Sequence, residues 1–330
     1  MAAAAADGGA GRAGGEPGGV SLAGRTAIVT GAGQGLGRAE ALALAAAGAS
    51  VVVNDLPGEG LDSVAAEITG GGARARIAAG DIGEWSTAQS LLDTAVSEFG
   101  RLDILVNNAG VLRDRMVFSM SPEEWDAVLR THLRGHFLTS RVATAYWRQQ
   151  SKQSGGEVYA RVVNTSSEAF LLGSPGQPNY AAAKAGITAL TLVTARSCAR
   201  YGVRANAICP RGRTAMTAGL MEPAPEDGPD PMDPRYVAPL VTYLASPAAA
   251  AINGEVFVVH GGVAAVLAPP AIRATFRAEE HGSPDGMWTP AAIASALAGF
   301  ETGPPGAGFA CEATMALATD TIGFRPAGGR

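Results

Sequence analysis

A glycine-rich turn, T-G-A-G-Q-G-L-G from Thr30 to Gly37, separates a β-branched run from an Ala/Leu-rich stretch of helical spacing. A strand that passes through such a turn directly into a helix commits the chain to a βα unit with the helix N-terminus at the strand end. The segments that follow keep the same alternation. Strands are expected at Thr26–Thr30, Ser50–Asn54, Arg74–Ala79, Ile104–Asn107, Val162–Thr165, Ala205–Cys209 and Val256–His260. Helical spacing fills Gly35–Gly48, Trp85–Phe99, Pro122–Trp147 and Tyr180–Tyr201. Strands such as S-V-V-V-N are apolar on both faces, as buried parallel strands are. The expected fold is α/β: one doubly wound parallel sheet of about seven strands with helices on both sides.

Three stretches are expected to organise the chain. Residues 1–19 form an Ala/Gly-rich disordered tail, residues 20–268 the α/β domain and residues 269–330 a C-terminal extension. Within the domain, Thr217–Arg235 is rich in Pro and acid and lies where a loop covering a substrate would sit. The extension carries one expected helix, T-P-A-A-I-A-S-A-L, capped by Thr289 with Pro290 at its first position. Its apolar residues are too few for an independent core, so it is expected to pack on its own domain or on a neighbouring subunit near that loop.

Composition removes several function classes. Hydrophobic residues at 47% and charged ones at 17% describe a globular chain. A net charge of -5 supplies no basic field for nucleic acid. The longest apolar run, Ala41–Val53, is mostly Ala and is broken by Gly48 and Ser50, so no membrane span is expected. Asp7 stands where a signal peptide would be apolar, and the cytoplasm is the expected location. Cys198, Cys209 and Cys311 are too scattered for a disulfide framework or a metal cluster, and His260 and His281 have no metal-binding pattern.

The chemistry concentrates at the expected strand ends. Gly31, Gly33, Gly35 and Gly37, with Gln34 and Leu36 between them, let backbone N–H groups approach a pyrophosphate at a helix N-terminus. Asp55 ends the second strand, where a carboxylate accepts ribose hydroxyls and repels a 2′-phosphate; the next residue, Leu56, brings no cation. NAD is therefore expected rather than NADP. Asp81 and Ile82 follow the third strand and suit an adenine edge. N-N-A-G, with Asn107, Ala109 and Gly110, ends the fourth strand under the cofactor. Tyr180 and Lys184 lie four apart on one helix face, and Ser167 lies thirteen residues upstream of the Tyr. A cation beside a phenol favours the phenolate, and a Ser hydroxyl at the same point can hold an alcohol or carbonyl oxygen.

Taken together, T-G-x-x-x-G-x-G, N-N-A-G, Ser167 and Y-x-x-x-K resemble the short-chain dehydrogenase/reductase family from about Leu22 to Gly262, fading beyond. The resemblance implies a Rossmann fold, a nicotinamide cofactor and a homo-oligomer, dimer or tetramer. It assigns Tyr180 as acid/base, Lys184 as its activator and a ligand of the nicotinamide ribose, and Ser167 as polariser of the reacting oxygen. The fourth catalytic residue of the family is an Asn; here T-H-L puts His132 in its place. N-N-A-G-V-L-R-D-R, T-H-L-R-G and V-V-V-N-D-L resemble the dehydrogenase unit of peroxisomal multifunctional enzyme type 2, which also carries His there. After the sixth strand, C-P-R-G-R-T departs from the usual P-G: Arg211 follows Pro210, with Gly212 and Thr214 beyond it in the segment that contacts the nicotinamide carboxamide. The expected activity is NAD-dependent interconversion of a secondary alcohol and a ketone, with a (3R)-hydroxyacyl-CoA or hydroxysteroid as substrate. A ketoreductase of small ketones and an inactive NAD-binding regulator are the alternatives.

Overall fold

The computed structural model describes residues 19–217, 223–225, 227–298, 300, 314 and 317. Residues 1–18 of the expected tail, residues 218–222 and 226 of the expected loop, and Cys311 lie outside the described residues. One sheet of eight strands has the order β3-β2-β1-β4-β5-β6-β7-β8. The strands are β1 (Thr26–Thr30), β2 (Ser50–Asn54), β3 (Ala75–Ile77), β4 (Ile104–Asn107), β5 (Ala160–Thr165), β6 (Val203–Pro210), β7 (Val256–His260) and β8 (Val263–Val266). The first seven run parallel. The eighth, absent from the sequence expectation, returns antiparallel from β7 through Gly261 at φ 47°. Its short alternation of half-buried and exposed residues lies on the sheet edge and is too weak to read in sequence.

Strands apolar on both faces feed two cores. Val29, Val51, Val53, Val106 and Val163 pack with Leu44, Leu61, Val64 and Leu244. Their neighbours Ile28, Val52, Leu105 and Val162 point the other way, onto Leu91, Ala95 and Trp147. Helices α1 (Gly35–Ala46), α2 (Glu59–Gly70) and α8 (Ala238–Ala245) cover the first face. The second face takes α3 (Trp85–Phe99), α5 (Gly135–Ser154) and α7 (Pro178–Cys198). Trp147 is a packing residue whose indole N–H donates to Leu102 O at 2.7 Å.

The strand order reverses between β1 and β4, and a crevice opens there beyond the carboxyl ends of the strands. Two local features shape it. The expected single helix Pro122–Trp147 is instead α4 (Pro122–Leu129), a π-turn at Arg130–Arg134, and α5. Ser121 and Glu124 close a capping box at the start of α4. The π-turn widens the helix by one residue per turn and leaves His132 buried on its inner side. In the C-terminal extension, α9 (Pro290–Leu297) begins at Thr289, whose hydroxyl accepts from the Ala292 N–H at 3.1 Å. The remaining short helix, α6 (Ala169–Leu172), follows Ser167 directly.

Candidate active site

The crevice contains a cleft of about 380 Å³. Its first wall is backbone. Gly31 takes φ 65°, and a Cβ there would lie 2.8 Å from Ala109 Cα. Helix α1 starts with no side-chain cap, so its first N–H groups face the cleft free of a competing side chain. Gly31, Gln34, Gly35 and Leu36 line this wall. Gly37 does not. It is buried, and a Cβ on it would stand 2.2 Å from Gly31 O, so its glycine serves the packing of helix on turn. Gly33 also stands behind the wall, its N–H donating to Asp55 Oδ2 at 3.0 Å. The other oxygen of Asp55 accepts from the Leu56 N–H at 2.8 Å, which fixes the carboxylate at the cleft rim. Leu56 is exposed there.

The N-N-A-G segment reverses one expectation. Asn107 is fully buried and does not line the cleft: its amide donates to Asn164 Oδ1 at 2.9 Å and its oxygen accepts from Thr139 Oγ1 at 2.6 Å. As the last residue of β4 it points into the layer between sheet and α5. Asn108, one residue on, turns toward the cleft and donates to Thr30 O and Gly31 O at 3.1 and 3.2 Å, bracing the glycine turn. Ala109 and Gly110 line the cleft as expected. Asp81 and Ile82 also line it, but the Asp81 carboxylate is shared with Arg130 at 2.6 Å and the Gly83 N–H at 2.8 Å. The Arg130 and Gly83 donors hold its carboxyl below the usual range, against the opposing effect of partial burial.

Ser167, Tyr180 and Lys184 meet on the opposite wall. Ser167 follows β5, and its hydroxyl accepts from the Ala169 N–H at 3.2 Å. The Lys184 ammonium lies 5.3 Å from the Tyr180 ring centre and donates to Thr165 O at 2.5 Å. Pro178 starts α7, and Asn179 pins it by donating to Arg113 O and Glu124 O at 3.0 and 3.1 Å. The expectation that lysine lowers the tyrosine pKa is not met by the protein alone. Burial pushes Tyr180 up to about 12, and burial lowers Lys184 to about 7. Desolvation is the largest influence on each group.

His132 sits behind this trio. Its ring meets the Tyr180 ring edge-on at 5.2 Å, while Nε2 lies 2.8 Å from Val111 O and 3.0 Å from Val111 N. A Cβ on Gly110 would fall 2.2 Å from the His132 ring, so glycine and imidazole require each other. Burial, then Lys184, holds its pKa well below the ordinary value. Below it His136 is also buried and is lowered to about 3 by burial first. Pro210, Gly212 and Thr214 complete the rim, with Gly212 against Leu36 and Thr214 against Gly35.

These residues fit a nicotinamide dinucleotide. An uncapped helix N-terminus suits its pyrophosphate, a fixed rim carboxylate its ribose, and the Tyr–Lys wall its reactive end. Sequence reading missed Asn108, Val111 and Thr165. Asn108 stood in a quoted motif; the other two act through backbone atoms and leave no residue-type signal. Among the described residues no group of side chains could hold a metal ion, and no helix is long and apolar enough to cross a membrane.

Residues 25–224 match the model of the short chain dehydrogenase family. The hydroxyacyl-CoA dehydrogenase ChsB1 of Mycobacterium tuberculosis is 53% identical over 291 residues, covering 86% of this chain and 90% of that protein. That span is longer than residues 1–268, so the similarity to this relative runs into the C-terminal extension, whereas the family match ends at residue 224, short of it. Peroxisomal multifunctional enzyme type 2 of Mus musculus is 42% identical over 250 residues, 72% of this chain and 32% of that protein. A solved short chain dehydrogenase from Mycobacterium avium has a TM-score of 0.74 at 44% identity, covering 84% of this chain and 95% of its own.

Proposed function

This chain belongs to the short chain dehydrogenase family, and on that footing we propose that it is an NAD-dependent dehydrogenase of 3-hydroxyacyl-CoA thioesters. It is an oxidoreductase that interconverts a CH–OH group and a ketone. The observation that carries the reading is the convergence of Ser167, Tyr180 and Lys184 on one wall of a cleft whose facing wall is the glycine turn and Asp55. The thioester class is supported by the 53% identity to ChsB1 over 90% of that protein.

The nicotinamide ring, when bound oxidised, supplies the hydride acceptor and a positive charge. The chain's own residues hold the substrate oxygen and move its proton. Ser167 donates a hydrogen bond to that oxygen. Tyr180, as phenolate, takes the hydroxyl proton during oxidation; as phenol it returns the proton to a ketone oxygen in reduction. With burial alone holding Tyr180 near 12, the bound cationic ring and a charged Lys184 are needed to bring the phenolate within reach of neutral pH. His132 touches none of the reacting atoms in this reading. It fixes the backbone of Val111, which lines the cleft. Asp55 selects NAD, because its carboxylate is fixed by Gly33 and Leu56 backbone and would face a 2′-phosphate with Leu56 as its neighbour. Exposed Trp125, Phe137, Leu192 and Val193 support a homo-oligomer.

The test is NAD reduction across hydroxyacyl-CoAs, hydroxysteroids and simple cyclic alcohols, with calorimetric titration of NAD and NADP alongside. Turnover best with a 3-hydroxyacyl-CoA is the expected result. Turnover confined to free alcohols would overturn the thioester assignment, and equal affinity for the two cofactors would overturn the role of Asp55.

A further inference from the structure

Arg211 and Glu168 form an ion pair that the reaction does not use. Their side chains are only 9% and 8% exposed, and the contact is bidentate, Nε to Oε2 at 2.6 Å and Nη2 to Oε1 at 2.8 Å. Both sit next to residues of the site. Glu168 follows Ser167, and its carbonyl accepts the Leu171 and Leu172 N–H groups, which anchors the first turn of α6. Arg211 follows Pro210, lines the cleft, and its own N–H donates to Val259 O at 3.0 Å. A third contact leaves the domain. Arg211 Nη2 also donates to the carbonyl of Thr314, itself 4% exposed and 103 residues away in the C-terminal extension.

We propose that Arg211 is a positioning residue that latches the C-terminal extension to the loop carrying Ser167, and thereby sets how tightly the alcohol substrate is held. A planar guanidinium suits this task, because its fork binds the carboxylate with two N–H groups and still has donors for a carbonyl. The pair itself is costly to bury, so the fold gains little from it as a local contact. What the guanidinium adds is a connection between segments 167–172 and 210–217 and Thr314 of the extension. Glycine, the residue expected after Pro210 from the family motif, has no side chain to make it. The inference rests on the proposed reading of the site, in which Ser167 holds the reacting oxygen.

The test uses the full chain and four variants: Arg211→Met, Glu168→Gln, the Arg211→Met/Glu168→Gln double, and Arg211→Lys. Hydrogen exchange is followed at peptides spanning Thr314, together with KM, kcat, NAD affinity and melting temperature. Loss of a hydrogen bond from a charged donor corresponds to about a tenfold change or more, so Arg211→Met should speed exchange at Thr314 and raise KM by about that factor. NAD affinity should stay unchanged. Glu168→Gln keeps the donor and should keep the extension protected; Arg211→Lys should restore part of the protection. The double variant removes both buried charges and should recover the melting temperature while exchange and KM stay as in Arg211→Met. If the double variant instead recovers all three, the pair is only a local contact and the latch is wrong. Wild-type exchange in Arg211→Met would also overturn it. The exchange measurement needs no substrate, so a failure of the thioester assignment is seen separately, as absent wild-type turnover.

Discussion

The wall of the cleft built from β1, α1 and β2 is made of backbone, whereas the wall built from β5, α7 and segment 210–217 is made of side chains. On the first, glycines let turn, helix and Asn108 close on one another, and Asp55 is fixed by two N–H groups. Its geometry depends on the conformation of the glycine turn and on close backbone approach. On the second, Tyr180, Lys184 and the Glu168–Arg211 pair are partly or wholly buried polar groups whose properties depend on what surrounds them. Local sequence specifies the backbone wall; tertiary packing tunes the side-chain wall. The first should fail by losing cofactor and fold together, the second by losing chemistry while cofactor remains.

The sharpest break is expected at Tyr180. Tyr180→Phe removes the proton route, and kcat should fall by at least about 10²-fold, the usual worth of a positioned acid/base. NAD affinity by calorimetry should be nearly unchanged. A variant that retained a tenth of wild-type kcat would show that the proton moves elsewhere. On the opposite wall, Asp55→Ala should lose discrimination. The NAD over NADP ratio in kcat/KM should shrink by about tenfold or more, mainly through KM, as a charge-assisted contact is lost and a repulsion relieved.

Gly37→Ala tests whether the backbone wall is a packing device. A Cβ 2.2 Å from Gly31 O has only backbone to push against, so stability should fall by about 1–3 kcal/mol in denaturant unfolding, with weakened NAD binding. An unchanged midpoint would mean that the turn can shift at no cost.

The same helix carries an unpaired acid. Glu40 is 0% exposed, neither carboxylate oxygen has a hydrogen-bond partner, and burial raises it from 4.5 to about 8. Because the folded pKa is the higher one, its stabilising contribution is fully present below 4.5 and is lost as pH rises through about 8. Stability should therefore decline across that window by roughly 1 kcal/mol per pH unit from this group, and Glu40→Gln should flatten the slope. A slope unaltered by the substitution would place the titration in another group. The extension gives the last test: deletion after Pro269 should raise KM at least as much as Arg211→Met, by about tenfold, or change the oligomeric state, with NAD affinity less affected. A truncated chain with unchanged kinetics, size and melting temperature would make the extension dispensable.

Much of the first wall was legible in the chain. The seven parallel strands and the glycine turn follow from apolar runs of strand length between helical stretches, and five strands or helices have the expected bounds at both ends: Thr26–Thr30, Ser50–Asn54, Trp85–Phe99, Ile104–Asn107 and Val256–His260. The Thr289 cap was legible because capping is a contact between neighbours in sequence. Less legible was the side on which a residue at a strand end would point. Asn107 ends β4 and faces α5, while Asn108 has left the pleat and faces the cleft; no local preference separates two adjacent asparagines. The π-turn at Arg130–Arg134 was hidden too, since one extra residue in a helical run leaves its apolar spacing almost intact.

The sequence by itself determined the seven parallel strands, the place of the crevice and the identity of the Ser167–Tyr180–Lys184 trio, because periodicity, turn chemistry and a fixed helical offset act within a few residues. Only the tertiary structure decided the burial of Lys184, the bracing of Val111 by His132 and the joining of Arg211 to Glu168 and Thr314. Each of these depends on desolvation or on partners tens of residues away, and both come into being only when the chain has packed.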